Sequence, residues 1–287
     1  MHATILVLVI ILLWKTFLGE SGLMGLALAA ALVFMIRATL STLAFGQTNF
    51  LVLLMLLLFW RDRERERGGI WLALGIFTKP FLAFLLVYLL LQRHWRAIAS
   101  TIFALAAISL LSIVVFGPAT FSSYFTANPV AKMPDYVYTE MLNQSLLATI
   151  LRLTEYDFSD TSPLTYPTFI ALTLILAGIT SWLVYRLDAS HADWMLALTL
   201  SLALLLYPAT LEHYSVLLIV PILLLWTHRQ ELIGGLWGVV VFITLTYVLI
   251  SYRGGNYVFF ATALNWFVLA GIGIWALLRQ SIQPDAS

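Results

Sequence analysis

The chain has no cysteine among its 287 residues, so it forms no disulfide and offers no thiolate to a metal. It has little charge: Asp, Glu, Lys and Arg make up 10% of residues, against roughly 25% in soluble domains. There is no glycine-rich phosphate loop and no His-x-x-x-His spacing, so no metal or other cofactor is expected. The net charge of +1 gives nucleic acid nothing to bind, because the arginines sit in short loops between apolar runs. The first apolar run reads as a membrane helix rather than a secretory leader. Thr4 to Leu13 has the length of a signal core, but no basic segment precedes it, and Trp14-Lys15-Thr16-Phe17 follows it where small residues would mark cleavage. What the chain has in quantity is greasy surface: 62% hydrophobic residues and a mean hydropathy of +0.96. Ten tryptophans and twelve tyrosines suit rings that settle at two water–lipid boundaries.

This composition predicts an all-α polytopic membrane protein, one transmembrane domain over 1–287. Apolar runs fall at about 3–18, 22–37, 47–60, 68–91, 97–116, 166–185, 194–208, 214–227, 234–250 and 259–278, giving about 10–11 transmembrane or half-spanning helices. Several are shorter than the ~20 residues of a simple span. Short helices around a cavity would explain that, as would a locally thinned bilayer. Run 68–91 has basic residues at both ends, Arg61 to Arg67 and Arg93 with Arg96. It therefore reads as a hairpin of two short helices turning at Lys79-Pro80, where proline disfavours continuation. Placing Arg61–Arg67, Arg93, Arg96, Arg186, Arg229 and Arg279 inside puts nine basic residues in cytoplasmic loops and leaves Lys132, Arg152 and Arg253 opposite. The positive-inside rule then orients the chain as a multi-pass protein of the plasma (inner) membrane. Residues 117–165 form a long extracytoplasmic loop, and Glu140 to Leu153 reads as an amphipathic helix lying at the lipid interface. On it Glu140, Gln144, Ala148 and Arg152 make one stripe.

Polar groups in such a chain are costly and mark function. On this topology Arg37, Gln47, Asn49, Asn143, Gln144, Arg152, Glu212, His213 and Arg253 gather at the extracytoplasmic face, joined by Lys79 if the hairpin reaches it. Cations beside amides and a histidine suit a lipid phosphate, whose leaving group gains negative charge that fixed donors stabilise in a water-poor pocket. A hydroxyl nucleophile would need a carboxylate or histidine base within reach. Each residue also has a plain structural reading. Gln47 and Asn49 could cap or bridge helices. Arg152 could touch headgroups, and Arg253 could snorkel to the interface. His213, beside Glu212 and just after Pro208, has the fewest structural reasons to be where it is.

The order of these motifs resembles a known family. Gly46-Gln47-Thr48-Asn49 opens a leucine-rich helix. Then come the basic turn, Gly75, Lys79-Pro80 and Arg93-His94-Trp95-Arg96. Asn143-Gln144-Ser145-Leu146 follows, with Arg152 seven residues past the serine, and then Tyr207-Pro208 with Glu212-His213-Tyr214. From about residue 40 to 225 the chain resembles the polyprenyl-phosphate-mannose-dependent mannosyltransferases of glycosyltransferase family 87, in the C-type (GT-C) superfamily. Leucine and glutamate stand where that family tends to show Trp-Asp before the His-Tyr pair. The resemblance implies a GT-C-like fold and a polyprenyl-phosphate sugar as donor. It also implies a glycolipid or polysaccharide acceptor, and inverting transfer on the extracytoplasmic face. It further implies a carboxylate base in a first outer loop. Nothing in Met1–Ser21 matches that loop, so either the chain is N-terminally truncated and inactive alone, or Glu212 or Glu140 takes the role. Two readings outside this class remain: a non-catalytic membrane subunit, and a lipid or solute transporter whose pathway would be lined on both faces.

Overall fold

The computed structural model describes residues 2–126, 142–154, 165–228 and 261–282. Among them there is no strand, only one isolated bridge between Asn143 and Leu211, and the protein is an all-α polytopic membrane protein. Five helical runs are long and apolar enough to cross a bilayer. With the shorter helices they account for the described part of the expected set, while run 234–250 lies outside the described residues.

α1 (His2–Leu13) ends in a π-turn (Trp14–Leu18) and a 3₁₀ turn (Gly19–Ser21) before α2 (Gly22–Met35). The apolar stretch 2–35 is continuous in composition, yet it folds as two helices packed on each other. Gly22 has φ +55, a conformation only glycine adopts cheaply, and this reverses the chain. Ile36 is extended (ψ 123), which puts an elbow before α3 (Arg37–Ala44). Gly46, at φ +60, then turns the chain into α4 (Asn49–Asp62).

α5 (Glu66–Thr78), a 3₁₀ segment (Pro80–Phe84) and α6 (Leu85–Leu91) form the expected hairpin. Lys79 is extended (φ −143, ψ 101), because the following proline disfavours helix there. Both ends of the hairpin sit on one surface. The Ser100 hydroxyl of α7 (Trp95–Phe116) donates to the Glu66 carbonyl at 2.6 Å, and the rings of Tyr88 and His94 lie 6.0 Å apart. α5 crosses α7 at Gly69, where a Cβ would collide with Ser100 Oγ and the Ala97 carbonyl.

α8 (Pro118–Thr126), α9 (Leu146–Thr154), α10 (Thr165–Arg186), α11 (Ala192–Leu206), a 3₁₀ segment (Glu212–Leu218), α12 (Ile219–Thr227) and α13 (Ala261–Ile282) complete the described chain. α11 is buried all round, from Trp194 to Leu206, as an apolar helix inside a bundle should be. α4 is nearly as enclosed. These central helices have 15 and 14 residues, about 21–23 Å at 1.5 Å per residue. The peripheral α7 and α10 have 22 residues each, about 33 Å, and present Phe103, Leu110, Val114, Leu174 and Ile175 outward. Short helices therefore lie inside a collar of full-length ones. This favours the cavity explanation of the short runs over a thinned bilayer.

Two clusters of polar contacts occupy opposite ends. At one, Asp62 is buried and meets Arg67 at 3.1 Å, while Asp193 accepts from Trp60 Nε1 at 2.8 Å and pairs with Arg63 at 3.0 Å. The Arg61–Arg67 turn thus pairs with itself, its aspartate enclosed by its own arginines. The other end carries the site.

Candidate functional site

The site begins with two strand-like segments that meet. Asn143 bridges Leu211, and the Gln144 N–H donates to the Thr210 carbonyl at 2.7 Å. Asn143 Nδ2 and Ser145 Oγ both donate to the Pro208 carbonyl, at 2.9 and 3.1 Å. Ser145 Oγ also accepts from the Ala148 N–H at 3.1 Å, which makes it the cap of α9. The amphipathic helix therefore starts at Leu146 rather than Glu140, and Gln144 is not on its stripe. Leu147, Ala148, Ile150 and Leu151 are buried in the protein rather than lying on lipid. Capping by Ser145 and pairing of 143–144 with 210–211 outweigh the helical periodicity here. Arg152 donates to the Asn143 carbonyl at 2.8 Å and so clamps this segment from the far end of the helix. Burial lowers its guanidinium pKa to about 10, which leaves it cationic at neutral pH.

This pairing presents the 3₁₀ turn that starts at Glu212. Asn49 Nδ2 donates to the His213 carbonyl at 2.9 Å, and Thr42 Oγ1 donates to it at 3.3 Å. Asn49 is fully buried and holds the backbone of His213 in place. Arg37, at the α2–α3 elbow, meets Glu212 at 2.8 Å through Nε. A cavity of about 240 Å³ opens here, lined by Ser41, Phe45, Gln47, Leu142, Leu211, Glu212 and His213. Beside it Lys79 donates to the Tyr214 hydroxyl at 2.9 Å, and the hairpin tip therefore reaches this end. Phe81, Tyr207 and Tyr214 form an aromatic cluster around that pair, with ring centroids 5.5 to 5.9 Å apart. The ring of His213 lies 4.8 Å from that of Tyr214.

The fold thus brings Arg37, Gln47, Asn49, Lys79, Asn143, Gln144, Arg152, Glu212 and His213 to one end of the bundle. Gln47, Glu212 and His213 line the cavity, and Arg37 sits at its edge. Asn49, Asn143 and Arg152 bond to backbone and shape it from behind. Glu140 and Arg253 lie outside the described residues. Three contributors carried no sequence signal strong enough to single them out: Thr42, Ser41 and Thr262. Thr262, on α13, donates to Gln144 Oε1 at 2.9 Å and so ties the last helix to the site. The Gln144 amide nitrogen, buried in the same place, has no hydrogen-bond partner among the described residues. Such a donor is costly to leave unmet.

This geometry can bind an anion and an alcohol together. It offers a guanidinium, an ammonium, amide donors and an imidazole, with a carboxylate close to the imidazole. Neither a curated protein nor a solved structure matches the chain. The family model of glycosyltransferase family 87 matches residues 1–211. That match includes the Gln47, Lys79-Pro80 and Asn143–Arg152 motifs, and it reaches further toward the N-terminus than those motifs do alone. The chain therefore belongs to glycosyltransferase family 87, and is a membrane glycosyltransferase by family.

Proposed function

We propose that the protein transfers a hexose, mannose being the first choice, from a polyprenyl-phosphate sugar to an acceptor hydroxyl on the extracytoplasmic side of the plasma membrane. The acceptor is a glycolipid or polysaccharide. The observation that carries this reading is the convergence of Arg37, Gln47, Glu212, His213 and Lys79 at one end of the bundle, opposite the arginine-rich end. The charged groups of the opposite end are paired with one another, whereas Gln47, Glu212 and His213 face a cavity, and this difference favours chemistry at one end over a pathway lined at both. The positive-inside rule gives the arginine-rich end to the cytoplasm, and so the cavity to the outside.

In the proposed step the acceptor oxygen attacks the anomeric carbon from the face opposite the phosphate. The carbon–oxygen bond to phosphate breaks, and the configuration inverts. The acceptor proton passes to a base, and the lipid monophosphate leaves with the bonding electron pair. His213, Gln47 and Arg37 would hold the phosphate oxygens, where fixed donors act most strongly as charge grows. Glu212 is the carboxylate of the cavity. Its ion pair with Arg37 holds it ionised in the cavity, and it is the base candidate among the described residues. No resident metal is needed in this scheme, because cations of the protein meet the charge.

The test is transfer of labelled mannose from polyprenyl-phosphate mannose in proteoliposomes, for this chain and for a version extended upstream. Transfer by either form supports the reading, and silence of both with every polyprenyl sugar tried overturns it. In the active form His213→Ala is expected to lower kcat/KM at least tenfold, about 1.4 kcal/mol.

A further inference from the structure

The arginine-rich end carries charge that the fold does not use. Two turns meet there: 61–67, which leads into α5, and 92–94, which joins α6 to α7. The bond from Ser100 to the Glu66 carbonyl ties them, and His94 lies within electrostatic reach of Arg63 and Glu64. Arg96 is one turn before Ser100 on the same face of α7, so it stands beside the start of α5. Asp62 meets Arg61, Arg65 and Arg67 at 3.8, 4.0 and 3.1 Å, one carboxylate among three guanidinium groups. Arg93 and Arg96 are exposed, and their side chains make no ion pair or hydrogen bond among the described residues. Glu64 and Glu66 are exposed on the same surface. With Asp62, and with Asp193 reaching in from α11, they still fall short of Arg61, Arg63, Arg65, Arg67, Arg93 and Arg96. The surface is left positive.

Arg93 is placed where an arginine is costly. Its φ is +59, the one positive φ outside glycine among the described residues. The His94 N–H reaches back to the Leu89 carbonyl at 2.9 Å, which closes α6 in a turn that usually falls on glycine. Arg96 is opposed too. It stands in the first turn of α7, where no acidic residue offsets it, at the positive end of the helix dipole. Sidedness asks only for basic residues on this surface, and cheaper positions would serve. Beyond the guanidinium layer the surface turns apolar. Ile102 and Phe103 follow Trp95 and Arg96 by seven residues, on one stripe of α7, and Trp95, Ile102 and Phe103 are all more than half exposed. Guanidinium, then indole, then hydrocarbon matches a phospholipid with an anionic headgroup, an interface and acyl chains. A soluble anion would use only the first layer. We infer that this end binds an anionic phospholipid of the adjacent leaflet, its phosphate among Arg65, Arg93 and Arg96 and its chains along Trp95, Ile102 and Phe103. Such a lipid braces both legs of the hairpin whose tip carries Lys79.

The test is photocrosslinking of the full chain in phosphatidylcholine proteoliposomes, doped with phosphatidylglycerol that carries a diazirine in an acyl chain, followed by peptide mapping. Label concentrated on residues 95–103, reduced by unlabelled phosphatidylglycerol and not by added phosphatidylcholine, is the expected result. Equal label from a phosphatidylcholine probe, or label spread evenly over the lipid-facing helices, overturns the site. Competition by soluble glycerol phosphate gives the arginines to a free anion and overturns the lipid. Each arginine near an anionic surface strengthens binding about fivefold. Arg93→Gly combined with Arg96→Gln is therefore expected to raise the phosphatidylglycerol needed for half-maximal labelling at least tenfold, and no change overturns the inference. Arg93→Gly alone separates binding from folding, because glycine accepts the left-handed turn. It is expected to keep or raise the unfolding midpoint in detergent with phosphatidylcholine and to weaken phosphatidylglycerol labelling about fivefold. A lowered midpoint assigns Arg93 to the scaffold and overturns the site. Failure of the double variant to express leaves the decision to Arg93→Gly. None of these readouts involves sugar transfer, so they stand or fall apart from the reaction proposed above.

Discussion

At the scale of single residues, the site divides into groups that face the cavity and groups that hold it. His213 owes its position to Asn49 and Thr42, which both donate to its carbonyl. Removing the Asn49 amide leaves that buried oxygen with only the longer bond from Thr42, a loss worth about 1–3 kcal/mol. Asn49→Ala should therefore lower the unfolding midpoint in detergent and reduce transfer, while Asn49→Asp, which puts a carboxylate against the carbonyl, should do worse in both assays. Arg37 and Glu212 behave differently. Arg37 is about one-third exposed but Glu212 is buried, so removing the cation alone leaves an unpaired carboxylate inside the protein. Arg37→Met is therefore expected to lower the unfolding midpoint and to raise KM for the donor several-fold, and adding Glu212→Gln is expected to restore the midpoint but not KM. A KM that recovers together with the midpoint would assign Arg37 to the scaffold instead. Polar side chains in an apolar sequence are conspicuous, and for this reason Gln47, Glu212 and His213 were legible before any coordinates. Their division of labour was not, because facing the cavity or its back depends on helix rotation. The pairing of Arg37 with Glu212 spans most of the chain, and local pattern holds no record of it.

Among the elements, the hairpin at Lys79-Pro80 was readable from charge alone, since arginines at both ends of an apolar run require it to return to the same surface. The α1–α2 reversal was suggested by the gap between two apolar runs and is fixed by Gly22. The element that misled was 140–153, where helical periodicity concealed a cap: Ser145 starts the helix, and the residues before it pair with 210–211. The tightest element contact, α5 on α7, gave no sign beyond two adjacent glycines. At Gly69 a side chain would strike the Ala97 carbonyl and the Thr101 nitrogen, both backbone atoms that cannot step aside. Close approach through small residues is how membrane helices gain packing energy. Gly69→Val should thus cost at least the 1–3 kcal/mol typical of overpacking, read as a lower thermal midpoint in detergent. An unchanged midpoint would mean that α5 and α7 do not cross at Gly69.

For the whole molecule the question is sidedness, and the absence of cysteine gives a clean assay, because any introduced thiol is the only one. Arg65→Cys, on the arginine-rich surface, is expected to react with a membrane-impermeant maleimide only after cells are opened. Ser123→Cys, exposed on α8, is expected to react in intact cells. Labelling of both from the same side would reverse or abolish the orientation assigned here. The class of fold was legible from hydropathy, and the ends of the bundle from the arginine count. The nesting of short helices within long ones was not, because a run's length alone does not say whether lipid or protein surrounds it. The tether on the His213 carbonyl also bears on how the molecule is made. Asn49 and Thr42 leave the ribosome long before their acceptor is synthesised, so every growing polypeptide carries this amide and hydroxyl in lipid with little more than their own 3.4 Å hydrogen bond until the 3₁₀ turn has been inserted. Biogenesis is most exposed in that interval, and chains stalled within it are the ones that membrane quality control should recognise first.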